Sequence, residues 1–267
     1  GAGKSTTMAC LIDRINRSRR CRIITIEDPV EYSHTSINAT VDQREVYQDT
    51  KSFSAALKFI LRQDPDVILV GEMRDLETIS SVLTAAETGH LVLATMHSND
   101  CVQAIDRVID VYPSHQQSQA RAQLSSSLLG VVSQRLLPRA DGSGRIGAFE
   151  IMVATPAIRN LIRENKMHQA LGTMESSRRD GMVTMDYALK CLVEDGHVTR
   201  EAALQHALST NSIPEGPKSK PTPRVTPGAL QSNGGGHQVA GTVSESRPKP
   251  VGGSPADPSK KKFPWSR

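Results

Sequence analysis

The chain opens on GAGKSTTMACL, in which Gly3, Lys4 and Ser5 form the closing half of a phosphate-binding loop of the form G-x-x-x-x-G-K-[ST]. Glycine permits the backbone angles that aim successive N–H groups at phosphate oxygens. In such a loop Lys4 reaches the β- and γ-phosphates and the Ser5 hydroxyl binds Mg²⁺, so Gly1, Ala2, Gly3, Lys4, Ser5 and Thr6 are the candidate contacts for ATP. Three further stretches carry groups suited to phosphoryl chemistry. ITIEDPVE ends in the carboxylates Glu27, Asp28 and Glu31; ILVGEMRD carries Glu72; and LATMHSND carries His97.

These groups need elements to position them. Thr6 to Arg14 reads as a helix, with Met8, Leu11, Ile12 and Ile15 at helical spacing, and its N-terminus adds partial positive charge at the anion site. Ile23–Ile26, Val67–Val70 and the run after His90 read as buried strands, and SFSAALKFILRQ and LETISSVLTAAETG read as the helices between them. Apolar strands alternating with helices predict a parallel sheet covered on both faces, with ligands beyond the carboxyl ends of the strands. The three strands end in the same polar groups named above, so the chemistry is predicted to collect on one edge.

One strand end departs from the usual nucleotidase pattern. Where an Asp commonly holds Mg²⁺ through water, this chain has Gly71, followed by Glu72. Mg²⁺ keeps several waters and prefers octahedral oxygen coordination. Its outer shell must then come from the cluster Glu27, Asp28 and Glu31, leaving Glu72 to position and polarise the attacking water. A plain surface carboxylate paired with Arg74 is the alternative for Glu72.

Composition bounds the rest. The sequence holds 267 residues with 3% aromatics, which requires an aliphatic core, and no run approaches the ~18 apolar residues of a membrane span. Cys10, Cys21, Cys101 and Cys191 are scattered without a C-x-x-C pair, as expected for reduced thiols in the cytoplasm, and offer no zinc site. The net charge of +4 is concentrated at the C-terminus. From Ser212 onward nine Lys or Arg face three Asp or Glu, and ten of the fifteen prolines lie there, which leaves −2 on the rest. Residues 210–267 therefore read as a disordered Pro/Gly/Ser/Lys-rich tail, and the folded part makes no electrostatic case for nucleic acid.

At this level of detail the sequence resembles the ATPase superfamily that powers type II secretion and type IV pili. LRQDPDVILVGEMRD resembles its signature, ITIEDPVE its aspartate box and GHLVLATMHSNDCVQAIDRVIDVYP its histidine box, in the family's order, over Gly1 to about Leu208. Type II secretion and pilus-assembly members usually insert four cysteines after the stretch equivalent to VVSQRLLPR; RADGSGRIGAFEIM has none here. TPAIRNLIRE is similar to a motif of the pilus retraction ATPases, with Thr155 suited to an N-cap and Pro156 to the first helical position.

The resemblance implies a RecA-like P-loop NTPase core with a parallel-rich sheet over residues 1–154, a C-terminal helical region over 155–209 and the tail beyond. It implies ATP and Mg²⁺ as cofactors, with Glu31 near the metal, Glu72 as the catalytic glutamate, and His90 and His97 as the histidine-box pair. Structural roles for both histidines remain the alternative. It also implies a cytoplasmic homo-hexamer at the inner face of the bacterial cytoplasmic membrane. There it would associate peripherally through an inner-membrane platform protein of the pilus, with no nucleic acid as partner. Arg62, Arg74 and Arg107 are candidates for transition-state or subunit contacts. Pilus assembly, type II secretion, or a non-catalytic scaffold with the same fold are the competing functions. Family members carry a strand, the loop's first glycine and a PAS-like domain ahead of the position of Gly1, so residues 1–267 alone are expected to bind ATP weakly and turn it over poorly.

Overall fold

In a computed structural model, residues 1–217 are described, and they belong to one unit spanning Gly1–Lys220. Four strands form an all-parallel sheet: β1 (Arg22–Glu27), β2 (Thr40–Glu45), β3 (Val67–Val70) and β4 (Leu91–Ala94), in the order β2-β1-β3-β4. Helix α1 (Lys4–Ser18) precedes β1; α2 (Phe53–Ile60) and α3 (Leu76–Glu87) precede β3 and β4 respectively. The α/β class with a parallel-rich sheet is as expected from the sequence.

The continuous apolar runs of β1 and β3 exist because both faces are covered. Ile24, Ile26, Ile68 and Val70 point toward Leu57 and Ile60 of α2 and Val82 of α3. Ile23, Val67 and Leu69 point the other way, toward Ile12, Met8 and Ile15 of α1. Each such fully buried aliphatic side chain contributes on the order of 1.5–3 kcal/mol of transfer free energy. Ser52 and Asp75 cap α2 and α3 by accepting the amides of Ala55 and Thr78, which fixes where each helix begins.

Two elements go beyond the sequence expectation. Strand β2, TVDQRE, lies at the sheet edge and carries a single apolar residue, Val41, packed on the α1 side, so no apolar run marks it. Beyond α4 (Cys101–Asp110) and α5 (Gln117–Ser127), β5 (Gly130–Pro138) and β6 (Arg145–Val153) pair as an antiparallel hairpin. Its turn uses positive φ at Gly142 and Gly144, a conformation that glycine adopts without steric cost. In β6 the side chains of Ala148, Glu150 and Met152 are buried in alternation, the period of a half-covered strand.

The chain then runs into α6 (Pro156–Arg163), α7 (Ala170–Ser176), α8 (Met185–Glu194) and α9 (Arg200–Leu204). Thr155 accepts the amide of Ile158 and Pro156 occupies the first turn of α6, as the sequence predicts. Ile158 and Ile162 enter a core shared with α4, α5 and Met152. Folded structure continues past residue 210, the expected start of the tail. Ile213 is buried against Leu189 and Val193 of α8, and the Asp186 carboxylate accepts the amides of Leu208 and Ser209 and the Ser212 hydroxyl. The rest of the predicted tail, from residue 218, lies outside the described residues. Among the described residues no helix is long and apolar enough to cross a membrane.

Candidate functional site

In a parallel sheet the carboxyl ends of all strands share one edge. The register aligns Ile26 with Val70 and Val70 with Ala94, so the segments after β1, β3 and β4 emerge level with one another. The turn before α1 meets them there. A cleft of about 650 Å³ is lined by Gly1 to Thr6, by Glu27, Asp28 and Glu31, by Glu72 and Arg74, and by His97.

Gly3 caps α1 with φ 81°, in the left-handed region. The positive φ favours glycine, and a Cβ there would lie 2.9 Å from Gln134 Nε2 and 3.3 Å from a Leu136 methyl of β5, which would have to shift. Lys4 Nζ lies 3.3 Å from His97 Nδ1, and Ser5 Oγ donates to Glu31 Oε1 at 2.9 Å. Thr6 and Tyr32 share a hydroxyl–hydroxyl hydrogen bond of 2.9 Å. Two of the three carboxylates left open by the sequence differ in their partners. Oε1 of Glu27 accepts from both Thr25 and Gln43, whereas Glu31 accepts the Ser5 hydroxyl; both carboxylates line the cleft.

Glu72 faces the cleft with both oxygens engaged. Oε1 lies 3.0 Å from His97 Nε2, and Oε2 accepts from the Arg74 guanidinium. The hydrogen bond from Arg74 is the main cause holding the Glu72 carboxyl below its ordinary range, with the charges of Arg74, His97 and Lys4 adding to it and burial opposing. The Glu72 side chain is 17% exposed and that of Arg74 72%. The alternative pairing with Arg74 is therefore present, yet it does not remove Glu72 from the cleft. An exposed arginine contributes only about 0–1 kcal/mol through such a pair and is easily displaced.

Gly71 has a steric explanation. Its amide donates to the Ile26 carbonyl at 2.7 Å, and a Cβ would sit 3.1 Å from that oxygen and 3.2 Å from Glu27 Cα. A side chain here would press on the backbone of β1. Gly71→Ala is expected to cost about 1–3 kcal/mol, because the crowding atoms are backbone and cannot swing aside. Thermal unfolding of the variant measures this; an unchanged midpoint would remove the packing explanation.

His90 is not brought to the cleft. It precedes β4, at the opposite end of that strand from His97, and its Nδ1 lies 2.9 Å from the Ala85 carbonyl at the end of α3 and 3.1 Å from Thr88 Oγ1. Within this chain His90 therefore closes a helix C-terminus, the structural role left open by the sequence. Of the arginines, Arg74 lines the cleft, Arg107 donates to the His97 carbonyl, and Arg62 is exposed after α2.

Tyr32, Gln134 and Leu136 carry no signal in the sequence. Tyr32 lies in a loop, and Gln134 and Leu136 lie in VVSQRLLPR, a stretch that serves the sequence reading only as a landmark. Among the described residues no group of three or more His, Cys, Asp or Glu could hold a metal. A hydroxyl beside one carboxylate suits an ion that takes most of its ligands from phosphate and water, as Mg²⁺ does.

Residues 1–143 match the type II/IV secretion system protein family. A twitching motility protein of Neisseria gonorrhoeae is 49% identical over 213 residues, which is 80% of this chain and 57% of that protein. The type IV pilus retraction ATPase PilT of Pseudomonas aeruginosa is 51% identical over 215 residues, 80% of this chain and 61% of that protein. A crystal structure of the pilus retraction motor PilT with bound ADP superposes with a TM-score of 0.74 at 48% identity, covering 80% of this chain and 60% of the other. The chain thus spans less than two thirds of the length of each of these relatives.

Proposed function

Since the chain belongs to the type II/IV secretion system protein family, we propose that it is the catalytic part of an ATP-hydrolysing hexameric motor that drives type IV pilus retraction and twitching motility. The observation that carries this reading is the convergence of Lys4, Ser5, Glu31, Glu72 and His97, from four separate segments, on one cleft at the carboxyl edge of a parallel sheet. Bound ATP supplies the phosphoanhydride to be cleaved, and Mg²⁺ neutralises the charge of its phosphates. Around them Gly1 to Thr6 cradle phosphate oxygens, Lys4 provides the countercharge, and Ser5 with Glu31 holds the metal. Glu72 orients water, and His97, already between Lys4 and Glu72, senses whether the terminal phosphate is present.

In this reading residues 1–154 form the catalytic core and the helical region from 155 onward the output region. The protein acts in the cytoplasm, at the inner face of the membrane, on an inner-membrane platform protein. The test is complementation. The full-length protein is expected to restore twitching to a strain lacking its retraction ATPase and to hydrolyse ATP with Mg²⁺. ATP turnover without any effect on pili would favour a secretion role; binding without turnover would favour a scaffold.

Helix α6 is proposed to separate output from chemistry. Ile158 and Ile162 are core residues and Leu161 packs partly against them, whereas Asn160 is turned outward, donating to Glu164 just beyond the helix end. Changing Leu161 would therefore confound packing with function, and Asn160→Ala is the cleaner variant. It is expected to reduce twitching while ATP turnover stays within about twofold, as for a surface change remote from the site. Parallel loss of both activities would mark α6 as a folding element.

A further inference from the structure

The hairpin strand β5 touches the site twice, from opposite sides. Successive side chains of a strand point to opposite faces. On one face, Gln134 Oε1 accepts the Thr7 hydroxyl at 2.6 Å, and Gln134 and Leu136 pack on Gly3 of the phosphate loop. On the other face, Ser133 Oγ and Arg135 both donate to the Asn99 carbonyl, at 3.1 and 3.0 Å, two residues beyond His97. The partner strand adds a third tie, because the buried Glu150 carboxylate accepts the Cys101 amide at the start of α4. The two segments held in this way are also the two that meet at the Lys4–His97 contact.

We propose that β5 is a clamp that keeps the phosphate loop and the His97 loop in register, with Gln134 the positioning residue for the first loop and Arg135 for the second. Its consequence for nucleotide rests on the proposed function; the clamp itself does not. The backbone amides of a phosphate loop bind well only if they are aligned before the ligand arrives, and the loop sits at a helix end where α1 supplies few restraining bonds. The hydrogen bond from Thr7 to Gln134 ties the first turn of α1 to a strand paired over its whole length with β6. β6 runs directly into α6, so the same hairpin also connects both loops to the proposed output helix.

The experiment is amide hydrogen exchange on the nucleotide-free full-length protein, followed by titration with ADP. Gln134→Ala is expected to speed exchange about tenfold at Thr7 to Cys10, the first hydrogen-bonded turn of α1, and to leave Cys101 to Ala104 unchanged. Arg135→Met, which keeps the apolar stem, should do the reverse. Thr7→Val should reproduce Gln134→Ala and add nothing to it in the double variant, and Thr7→Ser, which keeps the hydroxyl, should restore protection. ADP affinity should fall about tenfold in Gln134→Ala and Thr7→Val, and not in Arg135→Met. Exchange that is unchanged, or that rises equally at both loops in both variants, would overturn the clamp. Failure of the unmodified protein to bind ADP would instead count against the proposed function, with the split in exchange still deciding the clamp.

Discussion

Glu72→Gln is expected to reduce ATP hydrolysis about 10²–10⁴-fold, the range supplied by a positioned acid–base group, while nucleotide affinity stays within a few-fold. The amide keeps the size of the side chain and can still occupy the position between His97 and Arg74. It cannot present two anionic oxygens to water. The lowered pKa of Glu72 bears on what is lost. Arg74, and then the charges of His97 and Lys4, favour the ionised form, so the group is a carboxylate at neutral pH and below it. Such a group is better suited to orienting and polarising water than to retaining its proton. Each carboxylate oxygen of Glu72 has a second lone pair, so a catalytic water can be accepted beside Arg74 and His97, both of which are largely exposed. Steady-state turnover and equilibrium binding of ATP on the same variant test this. Near-normal turnover would take Glu72 out of the catalytic role.

Lys4→Ala is expected to act on the other quantity, weakening ATP binding about 10–100-fold, the worth of a charged hydrogen bond of ~1.5–3 kcal/mol. Lys4 Nζ already points along the cleft to His97 Nδ1, 3.3 Å away, so binding exchanges this one exposed contact for phosphate oxygens. Lys4→Arg should recover part of the affinity, because the charge remains while the reach and shape of the group change. Titration with a fluorescent ATP analogue separates the two variants. Equal affinity in Lys4→Ala and the unmodified protein would mean that the phosphates sit elsewhere.

Much of this site is legible in the amino-acid sequence because its parts have short-range signatures. Gly3-Lys4-Ser5 is a contiguous pattern whose chemistry depends on backbone angles and two side chains. Val67–Val70 must be apolar on both faces, which predicts a central strand and, from it, the position of Glu72 at a strand end. Thr155-Pro156 announces a helix start for local steric reasons. Strands such as β2 and β6 give weaker signals: one is an edge, the other half-covered, and each satisfies its surroundings with a mixture of residues that a loop could equally contain.

Periodicity and chain direction are local properties, so the order of residues alone settles which chemical groups are present and that a parallel sheet brings them to a common edge. Choosing among groups of the same type takes the folded arrangement. Glu27 and Glu31 are equivalent as residues four positions apart, but Gln43 and Thr25 claim the first and Ser5 meets the second. His90 and His97 both flank β4, yet strand direction places one at a helix end and the other between Lys4 and Glu72. A side chain at Gly71 would press on the backbone of β1, which no feature of GEMRD reveals. Gln134 reaches Thr7 across 127 positions of sequence. Such choices depend on what the rest of the chain packs alongside each residue, and that information exists only once the distant segments have met.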